Sequence, residues 1–145
     1  MKRAGRANFS ATMRIYWEDT DAAGIVFYAN YLKFFERART EWLRSVGFRQ
    51  EQLRTGAGIA FVVSETGLRY RRPARLDDVI DVSVAVVHLG QASLDIAQEA
   101  RRAGELLADG TIRIGCVELG TFRPCRIPNE IRLALGPVNA MGRLA

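Results

Sequence analysis

The chain has 145 residues, 48% of them hydrophobic and 26% charged, with a formal charge of +5. That is the size of one domain with a real core, and no window approaches the roughly 18 apolar residues of a membrane-spanning helix, which excludes an integral membrane protein. The single histidine, His88, excludes a His-rich metal centre, and Cys116 and Cys125 show no ligand spacing and no CxxC pair, so they read as reduced thiols used as small apolar side chains.

In chain order, the opening MKRAGRANFSAT is basic and lacks the apolar stretch of a secretion signal. Residues 1–12 therefore read as a flexible tail, and the protein as cytoplasmic. Met13 to Glu18 alternates Met13, Ile15 and Trp17 against Arg14, Tyr16 and Glu18, which predicts a strand. From Tyr28 the period changes. Tyr31, Phe34, Phe35, Ala38, Trp42 and Val46 recur at helical spacing, with Lys33, Glu36, Arg37, Glu41 and Arg44 on the other faces, and Gly47 is a natural stop. A helix over Tyr28 to Val46 follows, its aromatic stripe reading as core.

A short polar helical stretch is expected at Arg49 to Thr55, then a buried strand at Ile59 to Glu65 and another at Gly67 to Arg72, stopped by Pro73. DDVIDVSVAVVHLG, Asp77 to Gly90, has β-branched residues at alternate positions and predicts a long strand. Gln91 to Arg102 follows, then a turn near Ala103–Gly104 and a last strand over Leu106 to Leu119. Asp109–Gly110 reads as a bulge inside that strand rather than a turn. Pro124 and Pro128 are expected to end the ordered chain, so the domain is placed at 13–131 and a C-terminal tail at 132–145.

One strand, one long aromatic helix and four or five mostly antiparallel strands make an α+β domain. A single helix cannot cover both faces of such a sheet, so it must pack on the concave face. The other face or an edge then needs a partner, and an oligomer is expected. The positive charge includes Lys2, Arg3 and Arg6 in the tail and a cluster at Arg69, Arg71, Arg72 and Arg75. Such a balance suits nucleic acid, an anionic membrane surface or a phosphorylated small molecule, and selects none of them. A nucleic-acid role finds no aromatic platform and no motif, and none is expected.

The stretch WEDTDAAGIVFYANYLKFFERARTEWLR crowds Glu18, Asp19 and Asp21 in front of the helix. A calcium loop fits Asp19, Asp21 and Gly24 but has Ala23 and Asn30 where two further ligands belong. A phosphotransferase D-x-D would need alternating strands and helices, which this chain lacks. The remaining geometry places a carboxylate beside the unsatisfied N–H groups of a helix start. That can be dipole complementarity and a cap. It can equally be an acyl-transfer site, in which the N–H groups hold an oxyanion and the carboxylate attacks or activates water. A Ser-His-Asp or Cys-His mechanism would depend wholly on His88.

EDTDAAGIVFYANYLKFFERARTEWL, Glu18 to Leu43, resembles the signature of hotdog-fold acyl-CoA thioesterases. The likeness is to the bacterial Tol–Pal-associated YbgC-like group, with 4-hydroxybenzoyl-CoA thioesterase as a relative. It continues through AFVV (Ala60 to Val63), RRPARLDDVIDV (Arg71 to Val82) and RPCRIP (Arg123 to Pro128). The resemblance implies one long helix wrapped by a curved antiparallel sheet of five to six strands, assembled as a homodimer or homotetramer. It implies hydrolysis of a small, aromatic or fatty acyl-CoA, or of an acyl-carrier-protein thioester, with no metal and no cofactor beyond the CoA of the substrate.

By the same resemblance, Asp21 matches the catalytic aspartate, as nucleophile or general base. Tyr28 matches the helix-start residue whose backbone amide polarises the thioester carbonyl, and Gly24 the small residue at the turn. Asn30 and Tyr31 match first-turn positions and read as packing and capping residues. Some members carry histidine where this chain has Tyr28; with a phenol there, only the amide role carries over. The 4-hydroxybenzoyl relative has a basic cluster after its long strand, whereas HLGQAS (His88 to Ser93) has none. The CoA phosphates then fall to Arg72, Arg123 or Arg126, or to solvent, and His88 reads as structural. Hydratase chemistry on the same fold would need a histidine paired with an acid. The alternative function is a non-catalytic binder of acyl-CoA or acyl carrier protein, or an accessory of an envelope complex.

Overall fold

The computed structural model describes residues 9–135. Strands β1 (Phe9–Arg14), β2 (Ile59–Tyr70), β3 (Val79–Leu89), β4 (Ser93–Arg102) and β5 (Glu105–Glu118) form one antiparallel sheet in the order β1-β3-β4-β5-β2. Helix α1 (Asn30–Ser45) packs against β1 and β3, a short helical segment α2 (Gln50–Gln52) leads into one π-type turn at Leu53–Ala57, and α3 (Asn129–Leu135) follows the sheet. The architecture is the expected α+β hotdog, with five strands around one long helix.

α1 forms because its apolar side chains repeat every three or four residues. Tyr31, Phe34, Phe35, Ala38, Trp42 and Leu43 are buried, while Lys33, Glu36, Arg37, Glu41 and Arg44 are exposed. Phe34 and Phe35 are 1% and 0% exposed, a burial that contributes about 2–3 kcal/mol for each ring. They meet Ile80, Val82 and Val84 of β3 and Ile96 of β4 in one core. Gln98 is the inward-facing polar residue of β4, and its needs are met. Its amide donates to the carbonyls of Phe35 (3.1 Å) and Ser83 (3.3 Å), and its oxygen accepts Arg39 Nη1 at 2.9 Å.

The turn expected at Ala103–Gly104 is present, with φ of +50° and +86° joining β4 to β5, the positive-φ geometry a two-residue hairpin favours. Asp109 and Gly110 lie within β5, but without a bulge: Gly110 pairs in register with Leu68 and Gln98. Glycine is needed there because a Cβ would run into the Gly67 carbonyl and the Leu68 side chain. The irregularities fall instead at Val63/Glu65, Val86/His88 and Ala100/Arg101.

Other boundaries also differ from the sequence expectation. The first strand is Phe9–Arg14, not Met13–Glu18; the chain leaves the sheet after Arg14, so Ile15 is buried and Trp17 is 81% exposed. Ile59–Tyr70 is one strand rather than two, and only Ile59 in it is buried. Its apolar run resembles a central strand, yet β2 is an edge: Val62 and Val63 are 36% and 48% exposed. Order does not end at Pro128, since Ile131 and Leu135 of α3 join the core. The outward sheet face carries exposed ion pairs, Arg71–Asp109, Arg101–Glu99 and Arg113–Asp95, which contribute little to stability. Part of the apolar surface left uncovered lies on the β2 edge, at Val62, Val63 and Tyr70.

Candidate active site

The acidic junction folds into three connected pieces. After β1, Trp17–Asp19 makes one 3₁₀ turn. Asp19, 5% exposed, turns inward: one carboxylate oxygen accepts the Tyr16 N–H (2.8 Å) and the other accepts Asn30 Nδ2 (2.7 Å). Its carbonyl accepts the Phe27 N–H at 2.9 Å. A buried carboxylate is tolerated only when both oxygens are satisfied, and here they clamp the strand exit to the first residue of α1. Asn30 is therefore not a cap. The capping position is Ala29, which offers no side-chain bond.

Between the two ends of that clamp, residues 20–26 form a small hairpin. Thr20 pairs with Val26, the Asp21 N–H donates to the Ile25 carbonyl (2.9 Å), and the Gly24 N–H donates to the Asp21 carbonyl (2.9 Å). Gly24 has φ of +82° with open space around it, so the backbone conformation, not crowding, calls for glycine. The Asp21 carboxylate is exposed and accepts the Ala23 N–H at 2.8 Å through one oxygen. The hairpin is anchored to the loop after β2 by Val26 N–H to the Ala74 carbonyl (2.9 Å) and by an Ile25–Arg75 bridge. Asp19 and Asp21 are thus distinct in kind: one buried and committed at both oxygens, the other presented at a hairpin tip.

The Tyr28–Ala29 turn then starts α1. Among the described residues, the Tyr28 N–H donates to no protein acceptor, whereas Asn30 N–H is bonded to the Phe27 carbonyl at 2.8 Å. A free amide at the positive end of a 16-residue helix is suited to hold a developing oxyanion. Beside it is a cleft of about 310 Å³, lined among others by Ile25, Val26, Tyr28, Tyr31, Tyr70 and Arg72. Tyr31 is buried edge-on against Phe34 and Tyr70, with ring centroids 5.8 and 5.5 Å apart, and burial pushes its phenol pKa up.

The three arginines assigned to CoA phosphates do not converge. Arg72 lines this cleft, with a loose ion pair to Glu105 at 3.4 Å that leaves both side chains largely solvated. Arg123 and Arg126 are exposed in the segment that folds back along the far end of β5, where the Glu118 N–H donates to the Arg123 carbonyl at 2.9 Å. The backbone of Arg72 is bonded to Leu107, near the start of β5. Leu107 to Glu118 is roughly 35 Å of extended chain, so one chain cannot offer Arg72 together with Arg123 or Arg126 to one phosphate. His88 is exposed on β3, roughly 30 Å along the strand from the Val79 end that borders the hairpin. Among the described residues, no cluster of acidic, cysteine and histidine side chains could hold a metal ion.

Sequence reasoning missed Tyr70. Its hydroxyl donates to the Tyr28 carbonyl at 2.9 Å across 42 residues of chain. No local pattern signals that contact. The pairing of Asp19 with Asn30 was missed for the same reason.

The family model described as the thioesterase-like superfamily matches residues 15–135. The acyl-CoA thioesterase YbgC of Haemophilus influenzae is 40% identical over 126 residues, 87% of this chain and 93% of that protein. The acyl-CoA thioester hydrolase YbgC of Escherichia coli O6:H1 is 37% identical over 124 residues, 85% of this chain and 92% of its own. The crystal structure of a probable thioesterase from Bartonella henselae superimposes with a TM-score of 0.79 at 30% identity, covering 82% of this chain and 98% of that one. Among the described residues, no helix is long and apolar enough to cross a membrane.

Proposed function

The chain belongs to the thioesterase-like superfamily and is an acyl-CoA thioesterase of the YbgC kind, and on that premise we propose that Asp21 supplies the reacting carboxylate and the Tyr28 amide the oxyanion contact. The observation that carries this division is the contrast between the two aspartates. Asp19 has both oxygens bonded inside the fold, while Asp21 is exposed on a hairpin anchored beside a helix start whose amide is free.

The reaction breaks the thioester C–S bond and forms a C–O bond. Asp21 does this by one of two routes. As general base it takes a proton from water as the water oxygen attacks the carbonyl carbon; as nucleophile it forms an acyl anhydride that water then opens. In both, the carbonyl oxygen gains negative charge towards the Tyr28 N–H, and the CoA sulfur departs and is protonated. Gly24 shapes the hairpin that presents the acid. Arg72 lines the cleft, as does Arg71, which is paired with Asp109, and we assign a CoA phosphate to Arg72; Arg123 and Arg126 would reach the same ligand only from a second copy.

A second cavity, of about 190 Å³, is lined by Trp42, Leu43, Phe61, Ile114, Ile131 and Leu135 together with Glu36, Arg39 and Gln50, and shares no lining residue with the cleft. That cavity opens beside β2, the strand we propose pairs with a second copy to form at least a homodimer, with a homotetramer as its doubling. No cofactor beyond the CoA of the substrate is invoked, and a thioester on acyl carrier protein would undergo the same chemistry.

The test is free-thiol release from a panel of short, aromatic and long acyl-CoAs by wild type and by Asp21→Asn. Turnover by wild type and its loss in the variant are expected. Stoichiometric retention of acyl-CoA by wild type without turnover would overturn the reading and leave a binding protein. Single-turnover hydrolysis in ¹⁸O-water tests the nucleophile route, because label in the Asp21 carboxylate requires an anhydride opened at the aspartyl carbon.

A further inference from the structure

We propose that Tyr70 is a positioning residue for hydrolysis, holding the Tyr28 amide on the oxyanion through a hydrogen bond from its hydroxyl to the Tyr28 carbonyl. The inference rests on the role proposed above for that amide. Two peptide planes meet at Tyr28. The first carries the N–H and is held through Phe27, whose N–H donates to the Asp19 carbonyl (2.9 Å) and whose carbonyl accepts the Asn30 N–H (2.8 Å). The second carries the Tyr28 carbonyl, and the helix holds it poorly. An i+4 bond from Leu32 is absent, because that N–H goes to the Ala29 carbonyl at 3.1 Å. What remains within the helix is a stretched contact from the Tyr31 N–H at 3.4 Å, and Tyr70 supplies the well-formed bond at 2.9 Å.

With both planes held, the direction of the Tyr28 N–H is set. An oxyanion donor needs that: it must lie within about 2.7–3.1 Å of where the charge develops, and first turns of helices otherwise fray. Tyr70 is itself well placed to act as a fixed post. It ends β2, so it belongs to the sheet and not to the helix it steadies. Its ring meets Tyr31 at 5.5 Å and Tyr28 at 6.2 Å, both edge-on, and Tyr31 is anchored in the core. Burial and the neighbouring Tyr28 raise its pKa, so it remains an O–H donor at ordinary assay pH. The contact links residues 28 and 70 and thereby ties the oxyanion amide to the edge strand of the sheet.

Tyr70→Phe removes the hydroxyl and keeps the ring, at a position already 48% exposed. Measured on an acyl-CoA that wild type hydrolyses, its kcat should fall roughly tenfold, the scale expected of a small misplacement of a catalytic group. KM and Tm should stay near wild type, because the ring contacts survive. In ¹⁵N–¹H spectra without ligand, the Tyr28 amide resonance should move while those of β3 and β4 do not. A kcat within about twofold of wild type, an unmoved Tyr28 resonance, or kcat, KM and Tm all worsening together overturns the proposal. If wild type turns over acyl-CoA but Tyr70→Phe is unimpaired, only the positioning role fails. If wild type turns over none, the function proposed above fails, and this role with it.

Discussion

Exchanging each aspartate of the DTD motif for asparagine should separate stability from chemistry. In Asp19→Asn one carboxylate oxygen becomes an NH₂ facing a donor, either the Tyr16 N–H or the Asn30 amide, which now hold that oxygen at 2.8 and 2.7 Å. Hydrogen bonds to a charged group contribute about 1.5–3 kcal/mol, and a buried donor left unsatisfied costs about as much as the bond it loses. With Asp19 only 5% exposed, water cannot readily replace the lost partner, and a net loss of about 2–3 kcal/mol follows. At roughly 3 °C per kcal/mol for a domain of this size, Tm should drop by roughly 6–9 °C. Turnover per folded molecule should remain within about tenfold, a loss of about 1.4 kcal/mol at most. Asp21→Asn should do the reverse. Its side chain is exposed and an asparagine oxygen still accepts the Ala23 N–H, so Tm should stay within about 2 °C, on the ordinary scale for surface substitutions. Turnover should fall roughly 100-fold or more, as on loss of a general base or nucleophile. Thermal melts by circular dichroism and thiol release at a temperature where both variants are folded read the two effects separately. If Asp19→Asn abolishes turnover without destabilising, while Asp21→Asn melts early and stays active, the assignment is wrong.

Three further outcomes follow from the structure. Tyr28→Phe should keep most activity, because the role proposed for Tyr28 is that of its amide, whereas Tyr28→Pro removes the N–H and should abolish turnover with helix content intact by circular dichroism; loss of turnover in the Phe variant would make the phenol a participant. The uncovered edge of β2, with Val62 and Val63 36% and 48% exposed, should be paired in solution, and sedimentation showing a stable monomer at micromolar concentration would refute that. Burial first, and then the Cys125 sulfur 3.6 Å away, push the Cys116 thiol up to about 12. Iodoacetamide at pH 8 should therefore label Cys125 and spare Cys116 in the native protein. The folded state keeps that proton where an unfolded thiol loses it, at about 8.5. Cys116 should then cost stability progressively as pH rises from about 8.5 towards 12, read as a falling guanidinium midpoint; equal labelling of both thiols refutes the burial argument.

What could be read in the sequence was local. The 3.6-residue period from Tyr31 to Trp42, the β-branched alternation of Val79–Leu89 and the turn at Ala103–Gly104 are each fixed by neighbours a few residues apart, and each was found within a residue or two. The acidic motif before the helix was conspicuous for the same reason, because charge, glycine and helix start are adjacent in the chain. Tertiary structure decided the surroundings of each acid. On spacing alone Asp19 and Asp21 are equivalent, and they differ only because Asn30 and Tyr16 close over one of them. The standing of β2 as an edge, the separation of Arg72 from Arg123 and Arg126, and the bond from Tyr70 to Tyr28 were equally invisible. Each depends on strand order and on contacts across tens of residues, and those are set by how the sheet pairs and the helix packs, free energies that belong to the whole fold and to no single segment of it.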